Sequence, residues 1–240
     1  MIQIRAAALT DIGRVRKQNE DRFMLDEERL VFGVADGVGG MPGGAEAAQA
    51  AHDFVLDAFR ELAPEVEPDL PAIVLGANRA VAEKGASVSP ATGIASTLTF
   101  GCARGARLII AHVGDSRCYG LQGGRLVRLT QDHSVENEAS RLRGLGEIAH
   151  YSPLEARALT QWLGGPESPR PDCSSVPLNA GDSFLFCTDG VTVALSDREI
   201  GWILGLPHGP DYQLQSLIGL ARSRGGLDNA TGVLLRVDKV

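Results

Sequence analysis

The chain has 240 residues, of which 44% are hydrophobic and 22% charged, as in an ordinary folded domain. We expect one domain over residues 1–240, because no stretch reads as a linker between two cores. The formal net charge of −7 argues against a nucleic-acid partner, since such domains carry a basic excess. No apolar run reaches the ~18 residues of a membrane span, and the first residues lack a signal-peptide core, so we expect a cytoplasmic protein without membrane contact.

The four cysteines do not form a metal or disulfide framework. No C-x-x-C pair occurs, and no paired histidines lie near them. Cys102 and Cys187 end apolar runs, which predicts buried thiols.

The first part of the chain predicts strands followed by two helices. Apolar runs predict strands at 2–9, 23–25 and 30–35. Apolar residues at helical spacing predict helices over 45–62 and 73–84. The loop between the helices is expected to contain Pro64, Pro68 and Pro71.

The second part predicts short strands and then helices. Four apolar runs joined by glycine-rich turns predict an antiparallel meander, at 97–102, 108–113, 118–121 and 125–129. Further helices are predicted over 134–142, 197–204 and 212–222, and further strands over 183–188 and 231–237. Segment 144–157 has mixed signals and is expected to be a partly mobile surface segment. The pattern favours a layered α+β domain, with antiparallel sheets covered by helices.

Aspartates recur at the predicted strand ends. Asp36 follows the strand 30–35 and enters a loop in which five of the next eight residues are glycine. Asp115 and Asp189 also follow predicted strands and lie beside a glycine, while Asp21 and Asp228 flank others. Asp-Gly alone is more often a hairpin turn than a ligand pair. Five such positions together favour a shared site over five separate turns.

Carboxylates brought close together repel one another unless cations neutralise them. A ligand set of oxygens without Cys or His indicates magnesium or manganese, since zinc recruits nitrogen or sulfur. Two such ions ~3.5–4 Å apart can activate a bridging water and bind phosphate oxygens. The expected chemistry is in-line hydrolysis of a phosphomonoester.

Other polar residues have more than one reading. Arg16 could grip the phosphate, because a guanidinium meets phosphate oxygens bidentately, or it could be a solvated surface residue. Asp115 could instead cap the following residues or pair with Arg117. His112 and His133 are more simply interpreted as structural hydrogen-bonding residues than as catalysts.

Eight segments, standing in family order, give the chain a resemblance to the protein phosphatase 2C family, the metal-dependent serine/threonine phosphatases. These segments are R-K-Q-N-E-D (16–21), D-G-V-G-G (36–40), A-S-T-L (95–98), V-G-D-S-R (113–117), L-T-Q-D-H-S (129–134), L-T-Q-W-L-G (159–164), G-D-S-F-L-F-C-T-D-G (181–190) and D-N-A-T (228–231). The resemblance implies a four-layer α-β-β-α sandwich with two central antiparallel sheets.

The resemblance also implies roles for individual residues. The metal pair would be held by Asp36, the Gly37 carbonyl, Asp189 and Asp228, and Asp21 and Glu20 would act directly or through water. Arg16 would bind the substrate phosphate, so that the catalytic residues would be Arg16, Asp36 and Asp189. Asp115, with Asp189, matches the position of a weaker third metal, and 144–157 matches a mobile flap.

One departure concerns the general acid. Many eukaryotic members place a histidine after the first D-G, whereas this chain has Val38 there, as in the bacterial branch. The general acid is therefore expected to be a metal-bound water.

We therefore expect a monomeric, manganese- or magnesium-dependent phosphatase of phosphoserine and phosphothreonine proteins. Its partners would be phosphorylated proteins and a cognate serine/threonine kinase. The alternatives are a non-catalytic phosphatase-like module that regulates a partner, and a metal hydrolase of small phosphorylated metabolites.

Overall fold

The computed structural model describes residues 2–40, 42–63 and 66–240, and within them the chain forms ten strands and six helices. The strands are β1 (Gln3–Asp11), β2 (Asp21–Asp26), β3 (Val31–Asp36), β4 (Leu98–Arg104), β5 (Arg107–Val113), β6 (Arg117–Gln122), β7 (Arg125–Arg128), β8 (Asp172–Pro177), β9 (Ser183–Cys187) and β10 (Ala230–Lys239). The helices are α1 (Gly44–Glu61), α2 (Leu70–Val88), α3 (Val135–Gly144), α4 (Asp189–Thr192), α5 (Asp197–Leu204) and α6 (Pro210–Ser223). Pro64, which was expected in a loop, lies outside the described residues.

The strands form two five-stranded sheets in which every neighbouring pair is antiparallel. One sheet has the order β1-β10-β9-β6-β7, and the other has the order β2-β3-β4-β5-β8. Their facing sides bury a common apolar layer that includes Phe32, Phe186 and Val233. Such strands are apolar on both faces, because helices cover the outer sides.

Each outer face of the sandwich is covered by a helix pair. Apolar residues of α1 and α2, such as Phe59 and Val74, pack with Phe100 on one sheet. On the other sheet, α5 and α6 pack through a separate cluster that includes Ile200 and Leu217. Three apolar layers thus separate four structural layers, and the predicted α-β-β-α sandwich is confirmed.

Local chemistry explains where the helices begin. The side chain of Asp69 caps α2 by accepting a hydrogen bond from the backbone N–H of Ala72 (3.0 Å). Ser196 and Glu199 form a reciprocal capping box at the start of α5. In the part of the chain that is described, no helix is long and apolar enough to cross a bilayer.

Two predictions about the fold were wrong, and strand β8 was not predicted. The expected single meander is two hairpins in different sheets, β4-β5 and β6-β7, because Gly114, with φ of 110°, redirects the chain after β5. Helix α2 begins at Leu70, before Pro71, because proline is tolerated in a first turn where its missing N–H has no partner to lose. Strand β8 was missed because it is an exposed edge strand without apolar alternation.

The predictions for the histidines and thiols agree with the structure. Cys102 and Cys187 are fully buried. His112 hydrogen-bonds to the Thr99 hydroxyl (2.8 Å), and His133 accepts a hydrogen bond from the backbone N–H of Gly114 (3.1 Å). Of the segment 144–157, Gly144 is the last residue of α3 and the rest has an irregular conformation.

Candidate active site

Five strand ends bring the predicted aspartates to one edge of the sandwich. A cavity of about 390 Å³ opens there. Of the residues predicted from sequence, it is lined by Arg16, Asp36, Gly37, Asp115, Asp189 and Asp228. Asp21 lies beneath the cavity, directly opposite Asp36 in the β2-β3 ladder. The fold therefore assembles residues that are more than two hundred positions apart.

The backbone around Asp36 is held by the next strand of the same sheet. The Asp36 N–H donates to the Thr97 hydroxyl (3.1 Å), and the Asp36 carbonyl accepts from the Thr97 N–H (2.8 Å). The Ser96 hydroxyl donates to the same carbonyl (3.0 Å). These bonds fix the carboxylate at the end of β3. Asp36 and Gly37 therefore do not form the tight hairpin turn that an Asp-Gly pair alone would predict.

Two glycines of the loop after β3 permit close contacts. A side chain at Gly37 would collide with the backbone of Gly44, where α1 begins, and a side chain at Gly39 would collide with the guanidinium of Arg16. The close approach of the loop to the start of α1 therefore requires glycine at position 37, whereas a side chain at position 39 would displace the flexible end of Arg16. Gly37 and Gly39 both line the cavity.

Asp21 is a buried carboxylate with an incomplete set of partners. Its Oδ2 accepts a hydrogen bond from the Thr188 hydroxyl (2.9 Å), whereas its Oδ1 has no hydrogen-bond partner among the described residues. An orphaned buried oxygen is costly in an apolar setting. Its position beside Asp36 is suited to a cation or to an ordered water.

Arg16 pairs with a predicted metal ligand in this structure. Its Nη2 donates to Oδ2 of Asp228 (2.7 Å), and its Nη1 lies 3.9 Å from Oε2 of Glu20. Glu20 is therefore close to the site, although it does not line the cavity. The positively charged arginine supplies part of the neutralisation that the acidic cluster requires.

Asn229 anchors the loop that carries Arg16 and Glu20, a role that the sequence reading missed. Its side-chain amide donates to the carbonyls of Ile12 (2.9 Å) and Gln18 (3.1 Å), and its Oδ1 accepts from the Glu20 N–H (2.8 Å). The Asn229 N–H donates to Oδ1 of Asp228 (2.8 Å). One amide side chain thus fixes the first loop against the start of β10.

The carboxylates raise one another's pKa values. Burial, followed by the charges of Asp21 and Asp189, raises the pKa of Asp36 well above its ordinary value. Burial is also the main cause that raises the pKa of Asp21 to about 7, of Asp115 to about 7 and of Asp189 to about 6. The cluster is therefore poorly neutralised by the protein alone, and bound cations would relieve it.

The donor set fits hard divalent cations. The groups around the cavity are carboxylate oxygens and the Gly37 backbone, without Cys or His ligands. No three Asp, Glu, His or Cys side chains are arranged around a single point in residues 2–40, 42–63 and 66–240. Magnesium-type sites use one or two carboxylates and several waters, so such an arrangement is compatible with them.

The contacts around Asp115 decide between a metal site and the two structural roles predicted for it, a cap and an ion pair with Arg117. Arg117 pairs with Asp132 (2.6 Å) and begins strand β6. Among the described residues, Asp115 forms neither an ion pair with Arg117 nor a hydrogen bond that caps the residues after it. The neighbouring Ser116 hydroxyl hydrogen-bonds to the Thr97 hydroxyl (2.9 Å). Asp115 is therefore held at the cavity together with the segment that fixes Asp36.

Two further residues that line the cavity, Arg157 and Trp162, were not predicted from the sequence to have a role there. Arg157 lines the cavity and lowers the pKa of Asp189 by its charge, against the larger effect of burial. Trp162, five residues further along the chain, also lines the cavity. Trp162 belongs to the segment L-T-Q-W-L-G (159–164) and Arg157 ends the segment 144–157, but neither residue was assigned a role, because the fold brings both to the site from irregular structure.

Comparison with known proteins gives the family. The model of the protein phosphatase 2C family matches residues 14–206. The chain belongs to the protein phosphatase 2C family. It is 31% identical over 237 residues to the serine/threonine phosphatase stp of Listeria monocytogenes, covering 95% of this chain and 94% of that protein.

Two solved structures of the family are similar to the whole chain. The serine/threonine phosphatase of S. agalactiae is 30% identical, with a TM-score of 0.85 over 98% of this chain and all of that one. The catalytic domain of PstP, in complex with two manganese ions, is 32% identical, with a TM-score of 0.80 over 99% of each chain. The comparisons confirm two predictions, membership of the protein phosphatase 2C family and the enzyme class of phosphoprotein phosphatase.

Proposed function

We propose that this phosphatase 2C family member hydrolyses phosphoserine and phosphothreonine in proteins, using two manganese or magnesium ions and direct attack of water on phosphorus. The observation that carries the proposal is the convergence of Asp36, Asp115, Asp189 and Asp228 on one cavity beside Arg16. The whole chain, residues 1–240, would form this single catalytic domain. Four acidic groups and two arginines, Arg16 and Arg157, line the cavity, which suits a dianionic substrate only if cations are also bound.

Each acidic residue has a proposed share in holding the ions. Asp36, the Gly37 carbonyl, Asp189 and Asp228 would hold the pair, and Asp21 and Glu20 would contribute directly or through water. Asp115 and Asp189 would hold a weaker third ion. When bound, the ions supply an activated water and neutralise the phosphate oxygens. The unpartnered Oδ1 of Asp21 and the raised pKa of Asp36 support this assignment.

Arg16 would orient the phosphate group. Its guanidinium is already positioned by Gly39 and by the ion pair with Asp228. We expect Asp228 to exchange this partner for a cation, which frees the guanidinium for two hydrogen bonds to phosphate oxygens. Val38, which also lines the cavity, has no proton to donate, so water would protonate the leaving oxygen.

The proposed partners are phosphorylated proteins and the kinase that phosphorylates them, and we expect the phosphatase to act as a monomer. The alternative of a non-catalytic regulatory module predicts that metal-binding carboxylates are lost. All five predicted aspartates are present, with four on the cavity and Asp21 beneath it. The presence of these aspartates therefore favours a catalytic phosphatase over a non-catalytic module.

Phosphate release from a phosphothreonine peptide in the presence of manganese tests the proposal. The wild type should turn over, chelation should stop it, and Asp36→Ala or Asp189→Ala should lower kcat by about a thousandfold. Asp57→Ala, at an exposed position on α1, is the matched control and should leave kcat unchanged. A wild type without turnover, or undiminished turnover in both site variants, would reject the proposal. A parallel panel of small phosphorylated metabolites distinguishes a protein phosphatase from a metabolite hydrolase.

A further inference from the structure

A second depression adjoins the catalytic cavity. It has a volume of about 660 Å³ and lies between α3 and the loop of residues 160–170. We call it the Trp162 groove, because Trp162 lines both this groove and the catalytic cavity. A chain segment whose phosphorylated side chain enters the cavity would therefore pass Trp162 to reach the groove.

The groove is built on the same backbone that positions Asp36. The Leu163 N–H donates to the carbonyl of Ser96 (2.8 Å), and the Ser96 hydroxyl donates to the carbonyl of Asp36. The Gly164 N–H donates to the side chain of Asn78 (2.8 Å), which ties the loop to α2. The loop 160–170 and the segment that holds Asp36 are therefore parts of one hydrogen-bonded unit.

The far end of the loop is closed on itself. The Arg170 N–H donates to Oε1 of Gln161 (2.7 Å), so the loop returns to its starting point. At Gly165, a side chain would be 2.9 Å from Nε1 of Trp162, which means that the indole lies directly against the backbone there. The half-buried indole is thus held in position before any ligand arrives, and preorganised surfaces lose less entropy on binding.

The chemistry of the groove favours an apolar ligand. Trp162 shares its walls with Pro166 and Pro169. The two acidic and two basic residues of the lining balance, and two of them, Arg141 and Glu138, already pair with each other (2.7 Å). A groove without net charge gives no general advantage to an acidic or basic segment, whereas an indole offers a large apolar face.

We propose that the Trp162 groove binds the polypeptide that flanks the phosphorylated residue of a substrate, and that Trp162 selects a bulky apolar side chain in that segment. The inference rests on the proposed phosphatase function and adds a substrate preference to it. The flanking segment contacts the groove in an extended conformation, while its phosphorylated side chain reaches Arg16 and the aspartates. The selected residue packs on the indole.

The test uses a phosphothreonine peptide series and a small ester. One leucine is moved position by position along a glycine and serine peptide, and glycine, aspartate and lysine replace it at the best position. We expect kcat/KM to be about tenfold higher for leucine than for the other three residues at that position. p-Nitrophenyl phosphate, which has no flanking segment, reports the chemistry of the cavity alone.

Ser168→Trp is the blocking variant, because Ser168 is exposed in the groove and its side chain makes no hydrogen bond to any residue that the structure describes. It should lose the leucine preference while hydrolysing p-nitrophenyl phosphate within about twofold of the wild type. Ser223→Trp, at the exposed end of α6, is the matched control and should keep the preference. If Ser168→Trp does not fold, Trp162 variants replace it. Trp162→Ala should bring the ratio of kcat/KM for the leucine and glycine peptides close to one, and Trp162→Phe should retain most of the wild-type ratio.

Equal rates for leucine and glycine peptides in the wild type would overturn the inference. A preference that persists in the blocking variant, or a preference for a charged residue, would also overturn it. In each of these results the small ester is still hydrolysed, so the proposed phosphatase function would stand. Absence of turnover with both the ester and the peptides would instead overturn the function and the inference together.

Discussion

Asp21 and Asp36 lie directly opposite one another in the antiparallel pair β2-β3, at the end of the sandwich that carries the cavity. Like charges at facing positions destabilise a sheet. The pKa of Asp21 is raised to about 7, mainly by burial, and that of Asp36 is raised well above its ordinary value by burial and by the charge of Asp21. The fold therefore maintains a pair that is unfavourable until a proton or a cation neutralises it.

The stability of the metal-free protein should rise as the pH falls from 8 to 6.5. The carboxylates of Asp21 and Asp115 have pKa values near 7 in the folded state and near ~3.9 in the unfolded chain, so the folded state binds more protons in this window. Stability is therefore lost as the pH rises through these folded pKa values. We expect a Tm about 3–6 °C higher at pH 6.5 than at pH 8 with chelator present.

The pH window for this measurement is set by His112. Burial lowers the pKa of His112 to about 4, so below the unfolded pKa of ~6.5 the unfolded state takes up a proton that the folded state does not. This effect opposes the carboxylates at lower pH. Between pH 6.5 and 8 the unfolded His112 is at most about half protonated, so thermal denaturation there reports mainly the carboxylates. A Tm that increases with pH in that range would contradict the prediction.

Asp36→Asn should stabilise the metal-free protein and remove its response to manganese. The amide keeps the shape of the side chain but removes a buried charge that faces Asp21, so we expect a gain of about 1–2 kcal/mol without metal. Melting curves with chelator and with manganese measure both effects. Asp57→Asn, an exposed position on α1, is the control. A variant that loses stability without metal, or that keeps the wild-type manganese shift, would disprove the assignment.

Arg16→Ala should weaken phosphate binding more than metal binding. The guanidinium reaches Asp228 at 2.7 Å, but the proposed ligands of the ions are carboxylates and a carbonyl. We expect KM for a phosphopeptide to rise about tenfold and manganese affinity to change by about twofold or less. Arg16→Lys should recover only part of the loss, and Arg14→Ala, at an exposed neighbour, should have no effect. Equal losses of phosphate and manganese affinity would make Arg16 structural.

Asp115→Ala should lower turnover while the principal pair of ions remains bound. Asp115 and Asp189 line a shared wall of the cavity, and the charge of Asp189 contributes, after burial, to raising the pKa of Asp115 to about 7. We expect kcat to fall by about ten- to a hundredfold. Kinetics and manganese calorimetry on the same preparation measure the two quantities. Loss of the tight manganese sites would place Asp115 among the principal ligands instead.

Much of the fold could be predicted from periodicity and from the resemblance. The long apolar runs of β3, β5 and β9 are buried on both faces, so hydrophobicity alone marks them. The helical spacing of α1 matches its buried face closely. Strand β8 was not predictable in this way, because five of its six residues are exposed and its pairing with β5 is decided by tertiary contacts.

The candidate site was only partly accessible from sequence. Aspartates at strand ends could be recognised because each follows or precedes an apolar run. The pairing of Arg16 with Asp228, and the anchoring by Asn229, depend on contacts across more than two hundred residues. Trp162 is similar, since its position between two depressions follows from how the loop 160–170 packs against Ser96 and Asn78.

The position of bound manganese tests the central claim most directly. A crystal structure of the protein soaked in manganese, with anomalous scattering, would locate the ions. We predict two ions ~3.5–4 Å apart, both in contact with Asp36, with Asp228 released from Arg16. A cavity without manganese, or ions bound elsewhere while Arg16 and Asp228 remain paired, would contradict the account.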